Sequence, residues 1–87
     1  MELVHKHIIL RIEANKPPEE NELKEWMVEL VDKIGMKILA GPISANIDYM
    51  PGNNGPTCVV IIETSHFACH VWNDTDPALI QLDVYTC

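Results

Sequence analysis

The chain has 87 residues, 47% of them hydrophobic and 22% charged, with a formal net charge of -7. That is one small globular domain, able to bury roughly 60–65% of its unfolded surface, and its acidity excludes nucleic acid as a partner. No apolar stretch is long enough to span a bilayer, so no membrane partner is expected.

The opening residues, Met1 to His7, lack the basic-then-apolar layout of a signal peptide. Three cysteines, Cys58, Cys69 and Cys87, form neither an even count nor a CxxC pair. The thiols are therefore read as reduced and the compartment as cytoplasmic.

In chain order, His5 to Glu13 reads as the first strand. Ile8, Leu10 and Ile12 alternate with His7, Ile9, Arg11 and Glu13. Pro17-Pro18 open a helix, with Pro expected in its first turn and Glu19, Glu20 and Glu22 at the positive end of its dipole. Leu23, Trp26, Met27, Leu30, Val31 and Ile34 follow the spacing of one helix face, and Gly35 is placed to end it in the left-handed conformation. A lone amphipathic helix buries its stripe only on a sheet, so Trp26 and Met27 are assigned to the core.

A second strand runs from Met36 to Leu39, bends at Gly41-Pro42, and continues through Ile43, Ala45, Ile47 and Tyr49 to Met50. Pro51 to Pro56 is a turn signal; with no Lys-Ser/Thr and no helix behind it, it is not a phosphate loop. Two further strands flank Glu63-Thr64-Ser65-His66, and Asn73 to Pro77 leads to a last alternating run from Leu79 to Thr86. The expected plan is β-α-β-β-β-β. This is an α+β, two-layer sandwich, with a mainly antiparallel sheet and one helix packed on one face. The chain stops at Cys87 directly after a strand. A domain incomplete at its C-terminal end is expected, or one whose open side a partner subunit covers.

The junction at Thr64-Ser65 carries none of the Gly, Asn, Asp or Pro that usually make a hairpin turn, so its polar residues are read as kept for chemistry. His66 and His70 do not make a metal pair, because strand spacing sets them about 13 Å apart. Cys58 and Cys69 read as small buried hydrophobes. A serine-hydrolase reading of Ser65-His66 lacks the Gly-x-Ser-x-Gly elbow.

The runs GPTCVVIIETSHFACHVWND and LDVYTC together resemble the prokaryotic and viral-type S-adenosylmethionine decarboxylase family. These are pyruvoyl-dependent enzymes of polyamine synthesis whose signature includes E-S-H-x-x-x-H-T-W-P-E and a later D-x-F/Y-T-C. The resemblance implies that Ser65 attacks the preceding carbonyl and that elimination then splits the chain at Thr64/Ser65. The new N-terminus would carry a pyruvoyl group, which forms a Schiff base with the substrate and needs no external cofactor.

The resemblance also gives His70 the removal of the α-proton and Thr57 assistance to the ester. Cys87 would return a proton to the substrate carbon. Glu63, His66 and Asp74 would contact substrate, Asp74 at the ribose. The chain departs from the family where Thr64, not Glu, precedes the serine, and where it lacks the helix and strand that follow Thr-Cys.

Two functions stay open. One is a decarboxylase of S-adenosylmethionine or a related amino acid, seen uncleaved. The other is a non-catalytic dimeric module that binds a nucleoside-type ligand or none. A homodimer is expected in both, because the sheet face assigned to Ile9, Tyr49 and Phe67 is too apolar to leave wet.

Overall fold

The computed structural model describes residues 4–86. Its elements are β1 (Lys6–Ala14), α1 (Glu20–Lys33), β2 (Ile38–Ile47), β3 (Gly55–Ile62), β4 (Ser65–Trp72) and β5 (Ala78–Thr86). This is the expected β-α-β-β-β-β order. The five strands form one sheet in the order β1-β5-β4-β3-β2, antiparallel at every step.

Helix α1 starts and stops on local chemistry. Glu19 is its N-cap, and the Glu19 N–H donates to Glu22 Oε1 at 3.2 Å. Pro17 and Pro18 therefore precede the helix instead of occupying its first turn. At the other end the Gly35 N–H donates to the Asp32 carbonyl and the Met36 N–H to the Val31 carbonyl. That pair of bonds needs a left-handed residue between helix and strand, and Gly35 has φ +75°.

The helix lies over β2 and β3, where Leu23, Met27 and Val31 meet Cys58, Val60, Ile62, Phe67, Cys69 and Val71 in the core. Trp26 does not join them and stays 38% exposed. It looks toward the β1–β5 side, which α1 does not cover. With Ile12, Pro18, Leu23 and Ile80 it lines a groove of about 350 Å³. For the same reason Ile8, Leu10 and Ile12 remain exposed on the helix side of β1.

The second strand is continuous through Gly41-Pro42, but its pairing with β3 shifts between Ile38 and Ala40 and again between Ala40 and Ile43. Two pairing irregularities take the place of a break. The strand ends at Ile47, leaving Tyr49 in a loop.

Register fixes the two faces of the sheet. Ile61, His66, Tyr85 and His7 form one row across it, Val59, Ala68, Asp83 and Ile9 the next, and Thr57, His70, Gln81 and Arg11 the third. These rows face away from α1. Phe67 sits in an alternate row with Val60, Val84 and Ile8, on the helix side. Of the three residues expected to make the open face apolar, only Ile9 belongs to it. Exposed apolar residues on it include Ile9, Ile43 and Ile61.

Cys58 and Cys69 are free, wholly buried and directly opposite each other on β3 and β4. Burial pushes both thiols up, Cys69 to about 12. A thiol that ionises near 9 when unfolded and near 12 when folded holds its proton more tightly in the native state. Its contribution is thus fully present below pH 9 and is lost progressively as pH rises toward 12. Native protein at pH 8 should leave Cys58 and Cys69 unlabelled by iodoacetamide, and denaturant midpoints should fall above pH 9. Rapid native labelling of either thiol would contradict their burial.

Candidate active site

The hairpin between β3 and β4 is the tightest feature near the proposed chemistry. Ile62 pairs with Ser65, so Glu63 and Thr64 alone make the turn. Thr64 carries φ +62°, a conformation that crowds Cβ, and a branched side chain tolerates it least. Its hydroxyl donates to the Glu63 carbonyl at 2.6 Å. The missing glycine or asparagine is thus a strained peptide placed directly before Ser65. Replacing Thr64 with asparagine, which accepts positive φ more readily, is expected to raise stability by about 1 kcal/mol in urea unfolding. An unchanged or lowered midpoint would show that the turn stores no strain.

Thr57 and His70 meet. They are cross-strand partners, and Thr57 Oγ1 lies 3.0 Å from His70 Nδ1 in a half-buried position. The hydroxyl can donate to Nδ1 or accept from it, so the bond orients the ring in either imidazole tautomer. Ser65 is not part of that meeting. It heads β4, five residues from His70, which puts roughly 16 Å between them at ~3.3 Å per residue. An odd number of residues also sends their side chains to opposite faces.

A second polar group, unforeseen as a unit, occupies the open face beside the hairpin. His7 Nε2 lies 2.7 Å from Asp83 Oδ1, and His66 Nε2 lies 3.9 Å from the same oxygen. An ionised carboxylate only accepts, so the His7 Nε2–H is the donor. His5 Nδ1 lies 2.6 Å from the Tyr85 hydroxyl, and the His66 ring runs parallel to that of Tyr85, 5.8 Å between centroids. The signal was present as His5-x-His7 and Asp83-x-Tyr85, but only the β1–β5 pairing places them together. Among the described residues, no group of three or more His, Cys, Asp or Glu is arranged to hold a metal ion.

The remaining residues stand apart. Glu63 is exposed at the hairpin tip. Asp74, after β4, uses both carboxylate oxygens within the chain, accepting from the Gly52 N–H at 2.7 Å and the Asn54 N–H at 3.3 Å. Cys87 lies outside the described residues.

A family model, S-adenosylmethionine decarboxylase, matches residues 8–87. The chain belongs to the S-adenosylmethionine decarboxylase family. The match takes in β1 from Ile8 onward and every later element of this decarboxylase-family chain, including the hairpin and the Thr57–His70 pair. No solved structure matches it. None of this family member's helices among the described residues is long and apolar enough to cross a membrane.

Proposed function

We propose that this chain is a self-processing, pyruvoyl-dependent decarboxylase of S-adenosylmethionine, of the prokaryotic and viral type, seen before it cuts itself at Thr64/Ser65. The observation that carries this reading is the Thr57–His70 contact. Two residues thirteen positions apart, each given a processing role by the family pattern, share a hydrogen bond in a half-buried site.

Processing is the work of the chain's own groups. The Ser65 hydroxyl attacks the Thr64 carbonyl, which replaces the amide bond with an ester and frees the serine nitrogen. Removal of the Ser65 α-proton then breaks the Cβ–O bond and releases the first fragment as a carboxylate. Strain at Thr64 favours the attack, because opening the turn relieves it. His70 takes the α-proton and Thr57 fixes its ring.

The dehydroalanine left in place of Ser65 tautomerises to an imine, and water hydrolyses it to the pyruvoyl carbonyl with release of the serine nitrogen as ammonia. Ser65 itself thus supplies the carbon skeleton of the pyruvoyl group. When formed, that group serves as the electron sink for loss of carbon dioxide. Glu63 and His66 flank the substrate, and Cys87 returns the proton.

One chain does not bring Ser65 to His70. The proposed homodimer resolves this, with the Thr57–His70 pair of one copy serving Ser65 of the other. Its apolar surface is the open face, where Ile9, Ile43 and Ile61 are left in water. Because Ser65 points to the helix side, its hairpin must turn over at that surface to reach the partner copy's His70. Size-exclusion chromatography should give a dimer at micromolar concentration, and a monomer would remove this part of the reading. A cytoplasmic setting suits the free thiols.

Intact-mass spectrometry after incubation tests the whole reading. Two fragments that meet at Thr64/Ser65, the second blocked to Edman chemistry, are expected. A chain that stays whole under all conditions would leave the non-catalytic dimeric module as the better description.

A further inference from the structure

His70 is held on two sides. Thr57 contacts its Nδ1, and the Trp72 ring leans on the imidazole with centroids 6.1 Å and planes 39° apart. Trp72 is fixed in turn, because its Nε1–H donates to Asn53 Oδ1 at 2.7 Å. Asn53 belongs to the loop between β2 and β3. The amides on either side of it, those of Gly52 and Asn54, both donate to the Asp74 carboxylate. Two more bonds close the arrangement: the Asn73 N–H donates to the Asn54 carbonyl at 3.1 Å, and the Met50 N–H to Asn54 Oδ1 at 2.7 Å.

We propose that Asp74 is a positioning residue, which sets the ring plane of His70 through Asn53 and Trp72. The proposal rests on the role given to His70 above. It deepens that role by placing Asp74 in the support of the base and not at the substrate's ribose.

The physical case is one of ordering. Bonds from two backbone amides to one ionised carboxylate are stronger than neutral ones, and they hold both flanks of Asn53. With its flanks fixed, Asn53 presents one oxygen to one indole, and the indole then limits rotation of the imidazole. Without that wall, His70 can turn away from Thr57, and the bond between them is lost. A base misplaced by about 1 Å loses on the order of a hundredfold in rate.

The test is nitrogen-15 NMR of the histidine rings and the indole N–H in the intact chain and in Asn53→Ala, Asp74→Ala and Asp74→Asn. The intact chain should show a single set of His70 ring-nitrogen shifts, with Nδ1 carrying the signature of a hydrogen bond to Thr57. In Asn53→Ala and Asp74→Ala the Nδ1 shift should move as the Thr57 bond is lost, and the Trp72 N–H should lose about tenfold or more in exchange protection. Asp74→Asn, which keeps one acceptor oxygen, should fall between.

Asn53→Ala leaves the Asp74 clamp in place and so separates positioning from folding. If His70 is unmoved in that variant, the proposal is overturned, even where Asp74→Ala lowers the melting temperature. Where the intact chain cuts itself, Asn53→Ala should slow the cut about tenfold. An intact chain that never cuts removes the processing role alone, and the NMR result still decides whether Asp74 positions His70.

Discussion

Ser65→Ala should leave the chain whole under every condition in which the unaltered protein splits at Thr64/Ser65. The hydroxyl is the atom that attacks, and alanine supplies neither a nucleophile nor a bond to eliminate, so the loss is complete and not graded. The mass spectrum reads it directly. Any fragment ending at Thr64 in the alanine variant would mean that water or a protease makes the cut, and the processing reading would fall with it.

His70→Ala should slow the cut by a factor on the order of 10²–10⁴, the usual worth of a positioned base. Mixing the two variants then asks where the base comes from. Ser65 and His70 lie five residues apart on β4, on opposite faces. If two copies share the site, a Ser65→Ala chain lends its His70 to a His70→Ala chain, and the latter should be cut in the mixture. If the hairpin instead folds back over its own strand, the mixture stays as inert as its parts. Recovery of cleavage on mixing is the expected result. Failure of the mixture, with each parent folded and dimeric, would remove the shared site.

The strands and the helix were readable because each carries a period that one face enforces. Leu23, Met27 and Val31 recur at helical spacing and are buried; Phe67, Cys69 and Val71 alternate and are buried. What the sequence could not supply was partnership between distant strands. Phe67 and Ile9 both look apolar and half-exposed in isolation, and only the order β1-β5-β4 sends them to opposite faces. The same holds for the candidate site. Thr57 and His70 were named from a pattern, but their contact depends on the Ile62–Ser65 pairing that sets the register of the whole hairpin. Trp26 differs for a simpler reason: a helix stripe predicts burial only where there is a layer to meet it, and on Trp26's side of α1 the sheet leaves an open groove lined by Ile12 and Ile80.

Register also explains why a glycine begins β3. Gly55 has φ +145°, and a Cβ built there would lie 1.8 Å from the Val71 carbonyl oxygen and 2.8 Å from the carbon behind it. Both are backbone atoms of the neighbouring strand, which cannot swing aside as a flexible side chain would. Gly55→Ala must therefore push β3 off β4 where Thr57 and His70 pair, two residues further on. The expected loss is on the order of 3 kcal/mol or more, or roughly 12–24 °C in melting temperature for a domain of this size.

Gly52→Ala is the matched control. Gly52 also has positive φ, +82°, yet nothing lies within 4 Å of its added Cβ. Only the backbone strain remains, about 1 kcal/mol. The same substitution at two left-handed glycines should thus differ several-fold in cost, and Gly55→Ala alone should break the Thr57–His70 bond and halt the cut. Equal and small losses at both positions would mean that β3 and β4 do not approach as closely as Gly55 requires, and that the register placing Thr57 beside His70 is held by something else.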